Sequence, residues 1–509
     1  MLGLSTWQVL LCAAIAAVVA YCTTVTSTIL EYAWWWRDRV RARRRLVRLA
    51  ARMPGPPAWP LLGNALVFMA SPQDQLNIIT GFFEKYGPYV RFWLGPDLNI
   101  CIKDPADIRM LLTSNKINQK GPLYEFMKQF IGPGILTGGP TWRNHRKIAT
   151  PSYNKKCVVR FAKVFNREAQ VLAEALLKKD PGRTFDVYHD VVACTTQCVC
   201  QTLMGLSKED STNVKRMEEL VYKTQTIYSF IFTKMTHWWL QIPLIFSLTG
   251  RKKIGDEYLR LLDDFSSDVV AKRRRAMKES PVVDEETLGV VDRFLLSGEM
   301  SDREVKWETF TLFTTSQEAS AKIAAGVLLI LAHLPEWQDK VHDEILELLG
   351  PVDCDVTEEE LKKLHCLDMV YKETLRYLSI AAFIQRTVEE EVTVKNGELT
   401  LPSGASVIIP IHMLHRDPHY WRDPYKVDPA RFLPETVRER DPNAFVPFSL
   451  GAMDCLGRVY ATSLIKTLVV RVLRKVQLEA DGNIEDLDLN VAISVKFADG
   501  YNLRARPRV

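Results

Sequence analysis

The stretch PFSLGAMDCLGR, residues 447–458, sets a single cysteine, Cys455, in a glycine-punctuated loop that runs into a helical pattern. Apolar residues in CLGRVYATSLIKTLVVRVLRKV recur at helical spacing, so Cys455 is expected at a helix N-terminus. There the dipole and free amides lower a thiol's pKa and stabilise an anionic sulfur. Gly451 and Gly457 permit backbone conformations and a close approach that a side chain would block. Phe448 supplies an apolar lid. A loop built this way presents a thiolate to a flat, bulky ligand, so the rest of the chain must supply a core large enough to enclose one.

The chain has that capacity: it runs to 509 residues, with no internal repeat and no low-complexity segment after residue 57. One large domain over 58–509 is expected. The net charge of +5 is misleading as a whole-chain figure, because eight arginines lie between Arg37 and Arg52. The remainder is close to neutral, and beyond that run no basic residues interleave with aromatics, which argues against nucleic acid as a partner.

Before the arginine run no side chain is charged until Glu31, and WQVLLCAAIAAVVAYCTTVTSTIL is long enough to cross a bilayer, which takes about 20 apolar residues. A secretory signal would carry its positive charges ahead of the apolar stretch. Here they follow it, so residues 1–31 read as a membrane anchor and the positive-inside rule leaves everything after them in the cytosol. Trp34, Trp35 and Trp36 would form an interfacial belt. The other reading of this stretch is a buried hydrophobic helix. Residues 32–57 form a basic, proline-rich linker, stiffened by Pro54, Pro56 and Pro57. In a reducing compartment the ten cysteines do not form a disulfide framework. Cys12 and Cys22 fall in the anchor, and Cys194, Cys198 and Cys200 read as buried helix rather than a metal cluster.

Two further segments give Cys455 its context. In YKETLRYL, Glu373 and Arg376 are three apart and share a helix face. In HRDPHYWRDPYKVDPARFLPE, Arg431 follows in an irregular stretch and can complete a buried charge triad. With the cysteine loop, this order of motifs resembles the cytochrome P450 superfamily, the haem-thiolate monooxygenases. The resemblance is strongest to the microsomal family 4 group found in insects, through GPGILTGGPTWRNHRKIATPSYN and LAHLPEWQDKVHDEI.

The resemblance implies a mainly α fold with a small β region, a helical prism around haem, preceded by one transmembrane helix. It implies non-covalent haem b with Cys455 as axial thiolate. Trp142, Arg146 and Arg386 would contact the haem propionates; Phe448, Gly451 and Gly457 would shape the ligand loop; Glu373, Arg376 and Arg431 would be structural. It also implies NADPH-cytochrome reductase as electron donor, with a cytochrome b-type protein as a second, and a cytosolic body anchored in the endoplasmic reticulum membrane. Arg143, Arg146, Lys147, Arg458 and Lys466 flank the expected docking face.

Three departures from the family pattern stand out. Met453 replaces an arginine that pairs with a propionate, which removes one charge-assisted hydrogen bond; the alternative is that Met453 packs on the porphyrin edge and the other anchors suffice. In FTTSQEASAKIAAGVLLILAHL, Glu318 takes the acid position, Ala319 takes the place of the relay threonine, and Ser320 offers a hydroxyl one residue on. Glu318 and Ser320 are therefore the expected catalytic pair. Thr315 stands where many relatives carry a haem-esterified glutamate, so no ester link is expected. The implied function is insertion of one oxygen atom from O2 into a lipophilic substrate such as a fatty acid, derived lipid, hormone, pheromone or xenobiotic. The alternatives are a reductase-independent isomerase or dehydratase of lipid peroxides and a non-catalytic haem-binding lipid carrier. GPLYEFMKQFIGPGIL and YKTQTIYSFIFTKMTHWWLQIPLIF suit a lipophilic guest, and Trp238, Trp239 and Phe246 suit contact with a bilayer.

Overall fold

The computed structural model describes residues 36–279 and 288–508, together with Tyr21, Glu31 and Trp34. The expected membrane anchor, with Cys12 and Cys22, therefore lies outside the described residues, apart from Tyr21 and Glu31. Among the described residues no single helix is long and apolar enough to cross a membrane.

Six helices frame the interior: α1 (Trp142–Ala149), α2 (Lys155–Leu177), α3 (Tyr188–Thr202), α4 (Asp302–His333), α5 (His365–Tyr377) and α6 (Arg458–Leu473). The longest, α4, begins with a capping box in which Ser301 Oγ accepts the Glu304 N–H and the Glu304 carboxylate accepts the Ser301 N–H. From Ser320 to Ala332 every α4 residue is buried, so its sequence is apolar nearly all round, as a core helix requires. Gly326 makes this possible against α5, because a Cβ there would sit 3.1 Å from Leu378 and 3.2 Å from Thr374. The helix stops at Leu334, whose backbone is forced out of helical geometry by Pro335, and the next helix leaves at 111°. Around α4, α3 packs along one side, while α2 and α6 pack on each other. Cys194, Cys198 and Cys200 are all buried in α3, in keeping with a structural role.

The β region holds a five-stranded sheet made from β1 (Tyr89–Leu94), β2 (Asp97–Ile102), β3 (Gln119–Lys120), β4 (Ile384–Thr387) and β5 (Ser406–Ile409). Its order is β1-β2-β5-β4-β3, with β2 and β5 parallel and the other neighbours antiparallel. The register of the last pair sets Lys120 directly opposite Arg386. A hairpin of β6 (Leu489–Val491) and β7 (Val495–Phe497) carries Ser494 at its turn. The sheet encloses its own apolar core, separate from the larger core between the helices.

The basic segment is helical over 36–50 and rests on the domain. Leu49, Ala50 and Met53 are buried, and Arg45 donates to both carboxylate oxygens of Glu391, in the turn that follows β4, at 2.5 and 2.6 Å.

Candidate active site

One cavity of about 1010 Å³ lies between α4, the sheet and the cysteine loop. Cys455 faces it, so the thiol is deep within the protein yet has accessible surface on the cavity side. The loop is fixed by its backbone: the Cys455 N–H donates to the Phe448 carbonyl at 2.8 Å. Gly451 has φ of +77°, and a Cβ there would come within 2.0 Å of the Leu112 carbonyl oxygen, so only glycine fits.

Two expectations about this loop are corrected. Helix α6 starts at Arg458 with Gly457 as its cap, which leaves Cys455 ahead of the helix rather than in its first turn. Burial pushes the thiol's pKa up, against the lowering expected from the helix dipole; the Gly457 N–H, Arg146 and Arg458 act in the opposite, lowering sense. Gly457 has φ of −85° and its nearest neighbour to a Cβ would be 3.8 Å away, so within the protein its contribution is the N–H aimed at sulfur rather than steric room.

Cations gather at the same end. Arg146 lines the cavity and donates to Asp454 at 2.5 Å and to the Asp454 carbonyl at 2.8 Å. Arg386, buried in β4, lines it too and reaches the Met453 carbonyl at 3.5 Å. Trp142 shares the α1 face but is buried without lining the cavity, with the Arg143 guanidinium 5.6 Å from its ring centre. It sits one turn back on α1, whereas Arg146 extends to the loop. Met453 is buried and lines the cavity.

Facing these groups, α4 contributes Thr315, Ser316, Glu318, Ala319 and Ser320 to the cavity wall. Thr315 donates to the Thr311 carbonyl at 2.7 Å and offers no carboxylate to esterify. Glu318 is ion-paired with Lys322 one turn along α4, and the Ser494 hydroxyl donates to the same carboxylate oxygen at 3.2 Å. Lys322 also donates to Ser494 at 2.5 Å, which closes a buried triad of α4 and the β6–β7 turn. The sequence reading placed Glu318 at the acid position and missed Lys322; the signal was a Glu followed by Lys at i+4. It also missed Glu308, which accepts from the Ile135 N–H and contacts His145 Nδ1, each at 2.8 Å. Gly134 leaves the space, since a Cβ there would lie 2.0 Å from the Glu308 carboxylate.

Behind the cysteine loop, the expected charge triad is present. Arg376 donates through Nε and Nη2 to the two Glu373 oxygens, both at 2.7 Å, and neither side chain has any exposure. Glu373 also accepts the Asp428 N–H at 2.8 Å, and Arg431 Nε approaches to 3.6 Å. Arg376 further donates to the carbonyls of His415, Pro424 and Lys426. Around them lie two arginines that the sequence reading did not single out: Arg416, and Arg440 stacked 3.9 Å over Trp421, each with its pKa pushed down to about 10 by burial.

His415 connects this cluster to the ligand loop. Its Nε2 accepts the Val446 N–H at 3.1 Å, so that nitrogen is unprotonated, and burial beside Arg376 and Arg416 holds its pKa well below the usual value. His412, 3.2 Å from an Arg416 donor, is held down likewise. Unfolded histidine titrates near 6.5. Above that pH the stability from these neutral rings is fully present; as pH falls below it, the unfolded chain binds protons that the native state refuses. Equilibrium unfolding from pH 7 to 5 should therefore show wild type losing about 2 kcal/mol of its advantage over His412→Gln, most of it below pH ~6.5. Parallel pH profiles would remove His412 from this account.

A deep thiol in a tight loop, guanidinium groups beside it and an apolar chamber above fit a flat metal macrocycle with anionic edges. Residues 53–497 match the cytochrome P450 family. The chain is 30% identical over 481 positions to probable cytochrome P450 4s3 of Drosophila melanogaster, covering 91% of this chain and 93% of that one. It is 28% identical over 493 positions to cytochrome P450 4c3 of the same organism, covering 92% and 91%. It is 30% identical over 538 positions to cytochrome P450 4V2 of Rattus norvegicus, covering 100% and 98%. Family membership brings with it haem b, bound non-covalently with a cysteine thiolate as axial ligand. The chain belongs to the cytochrome P450 family, as a monooxygenase of its insect-like group 4.

Proposed function

We propose that this chain is an NADPH- and O2-dependent monooxygenase of a lipophilic substrate, with Cys455 as the axial ligand. The observation that carries this reading is the cavity at the cysteine loop, which has Cys455 with Arg146 and Arg386 at one end, Glu318 and Ser320 on its α4 wall, and aliphatic and aromatic side chains over most of the rest. A haem with a thiolate ligand supplies reductive activation of O2 and insertion of one oxygen atom. The chain's own residues position and protect that group. Gly451 and the Phe448 carbonyl hold the cysteine loop, the Gly457 N–H supports the sulfur, and Arg146 and Arg386 take the propionates, with Trp142 bracing α1 behind them. On the opposite wall Glu318 holds a proton-transfer position at the cavity edge, fed by Lys322 and Ser494, and Ser320 supplies the hydroxyl that Ala319 lacks.

Access from a lipid phase is supported by the cavity mouth. Leu61, 93% exposed, and Ile242, 40% exposed, both line the cavity, and Trp59, Leu244 and Leu248 extend the apolar surface on either side. Trp238, Trp239 and Phe246, expected at the bilayer, are half-buried against neighbouring rings in the same segment. We place this mouth against the endoplasmic reticulum membrane, with residues 1–31 as anchor, 32–57 as basic linker and 58–509 as the cytosolic catalytic domain. NADPH-cytochrome reductase, with a cytochrome b-type donor as second source, would dock on exposed Arg143, Lys147 and Arg458. Lys466 is not part of that face, because it is buried and paired with Asp368 at 2.6 Å.

The test is product mass spectrometry after incubation with reductase, NADPH, labelled O2 and a panel of unsaturated fatty acyl lipids. One labelled oxygen atom per product, dependent on NADPH, is expected. Turnover of lipid hydroperoxides without incorporation would replace this reading with the isomerase, and a ligand-induced spectral change without product would replace it with the carrier.

A further inference from the structure

We propose that Tyr228 and Thr314 form a hydrogen-bonding site for an uncharged oxygen of the substrate, an ether, carbonyl or hydroxyl group, held about one helical turn from the proton-transfer position. The proposal rests on the reading of the cavity as a substrate chamber, and it narrows the guest from lipophilic molecules in general to those that carry such an oxygen. Tyr228 belongs to the helix Met217–Thr236, and Thr314 to α4. Their hydroxyl oxygens lie 2.7 Å apart, and both residues line the cavity. Thr314 is four residues ahead of Glu318, about 6 Å along the helix.

The pair carries one donor more than it uses. Two hydroxyls bring two O–H groups, and the contact between them consumes one. Among the described residues neither hydroxyl has a second hydrogen-bond partner. The other threonines of this stretch of α4 behave differently: Thr309 and Thr315 donate to the carbonyl four residues back at 2.7 Å, and Thr311 does so at 2.8 Å. Thr314 turns to Tyr228 instead, so whichever of the two donates to the other, one O–H is left over at the chamber wall. Ile231 and Phe310, one turn away on the two helices, line the same cavity and offer that donor nothing. A donor in apolar surroundings is costly until it is paired, and an oxygen on the guest pairs it. The charge of that oxygen follows from its neighbours. Burial and the Glu318 carboxylate keep the Tyr228 phenol protonated, well above the usual tyrosine range. The same carboxylate disfavours a second anion beside it, and Lys322 is already committed to Glu318 and Ser494. The pair therefore suits a neutral acceptor. Because it fixes that oxygen about one turn from Glu318, the carbon presented for oxygen insertion lies a few bonds away, so the pair sets position as well as affinity.

The test titrates the assembled holoenzyme, followed by its haem absorbance, with two probes of equal chain length, tridecane and methyl undecyl ether. Wild type is expected to bind the ether roughly tenfold more tightly, the worth of one neutral hydrogen bond. The double variant Tyr228→Phe with Thr314→Val, which removes both hydroxyls at similar volume, should lose that preference, and Thr314→Ser should keep it. Turnover gives a second readout. Wild type should insert oxygen into the ether at one position or two adjacent ones, and the double variant should scatter it along the chain, whereas tridecane should give scattered products from both proteins. Equal affinity of wild type for the two probes, or a preference that survives the double variant, overturns the proposal. A preference for dodecanoate over tridecane that the double variant abolishes would overturn the assignment to an uncharged oxygen. A thiolate-haem absorbance that none of these probes perturbs would overturn the reading of the cavity as a substrate chamber, and this proposal with it.

Discussion

Glu373→Ala is expected to destabilise the protein by about 3 to 5 kcal/mol, the cost of stranding a buried charge whose partner has been removed. Glu373 accepts two hydrogen bonds from Arg376 and one from the Asp428 N–H, and it is the carboxylate that Arg431 approaches. Its loss leaves Arg376, with no exposure, among Arg416, Arg431 and Arg440. Carbonyls of His415, Pro424 and Lys426 still accept from Arg376, so the guanidinium keeps hydrogen bonds but not charge balance. Because His415 carries the Val446 N–H at the start of the cysteine loop, the damage should spread to the ligand loop. The measurement is denaturant-induced unfolding of the assembled protein, read with haem absorbance beside it. The double variant Glu373→Met with Arg376→Met, which removes both charges at similar volume, should recover part of the loss. A single variant within about 1 kcal/mol of wild type would show that the surrounding carbonyls suffice and that the pair is not what holds this region.

How far the sequence foretold this architecture depended on how far apart the partners lie. Glu373 and Arg376 were legible because a three-residue helical spacing fixes their geometry locally, and Gly451 because a tight loop beside a cysteine demands a special backbone. The starting point of α6 was missed by three residues, since apolar periodicity runs through LGR without marking the cap at Gly457. Trp142 and Arg146 share a face by spacing, yet only Arg146 lines the cavity, and which residue of a face reaches a cavity is not a matter of periodicity. Lys466 looked like surface charge because its partner, Asp368, is 98 positions away. The same limit hid Lys120: its opposition to Arg386 is a strand register across 266 positions, which no local pattern encodes. Lys322 is the instructive miss, since its partner is four residues away. It was passed over because the family's acid position was read for chemistry alone, without asking what neutralises a carboxylate on a buried helix.

That omission leads to the second large effect. Lys322→Met should leave Glu318 as an unpaired carboxylate in the core, with Ser494 as its one remaining hydrogen-bond donor among the described residues. Removing one partner of a buried ion pair strands the other, and the cost of the change should fall between about 3 and 5 kcal/mol near neutral pH. Glu318→Gln with Lys322→Met removes both charges while leaving an amide oxygen for Ser494, and should be more stable than the single variant at pH 7. The functional consequence separates two roles for the pair. If Lys322 only balances charge, the double variant should couple electrons to product as poorly as Glu318→Gln alone, because the proton-transfer group is gone in both. If Glu318 takes no part in proton delivery, both variants should retain wild-type coupling, measured as product formed per NADPH consumed, and the uncoupled remainder should not appear as peroxide. A stable double variant with intact coupling would leave the triad as a fastener between α4 and the β6–β7 turn, and proton transfer would then fall to Ser320 on the same wall.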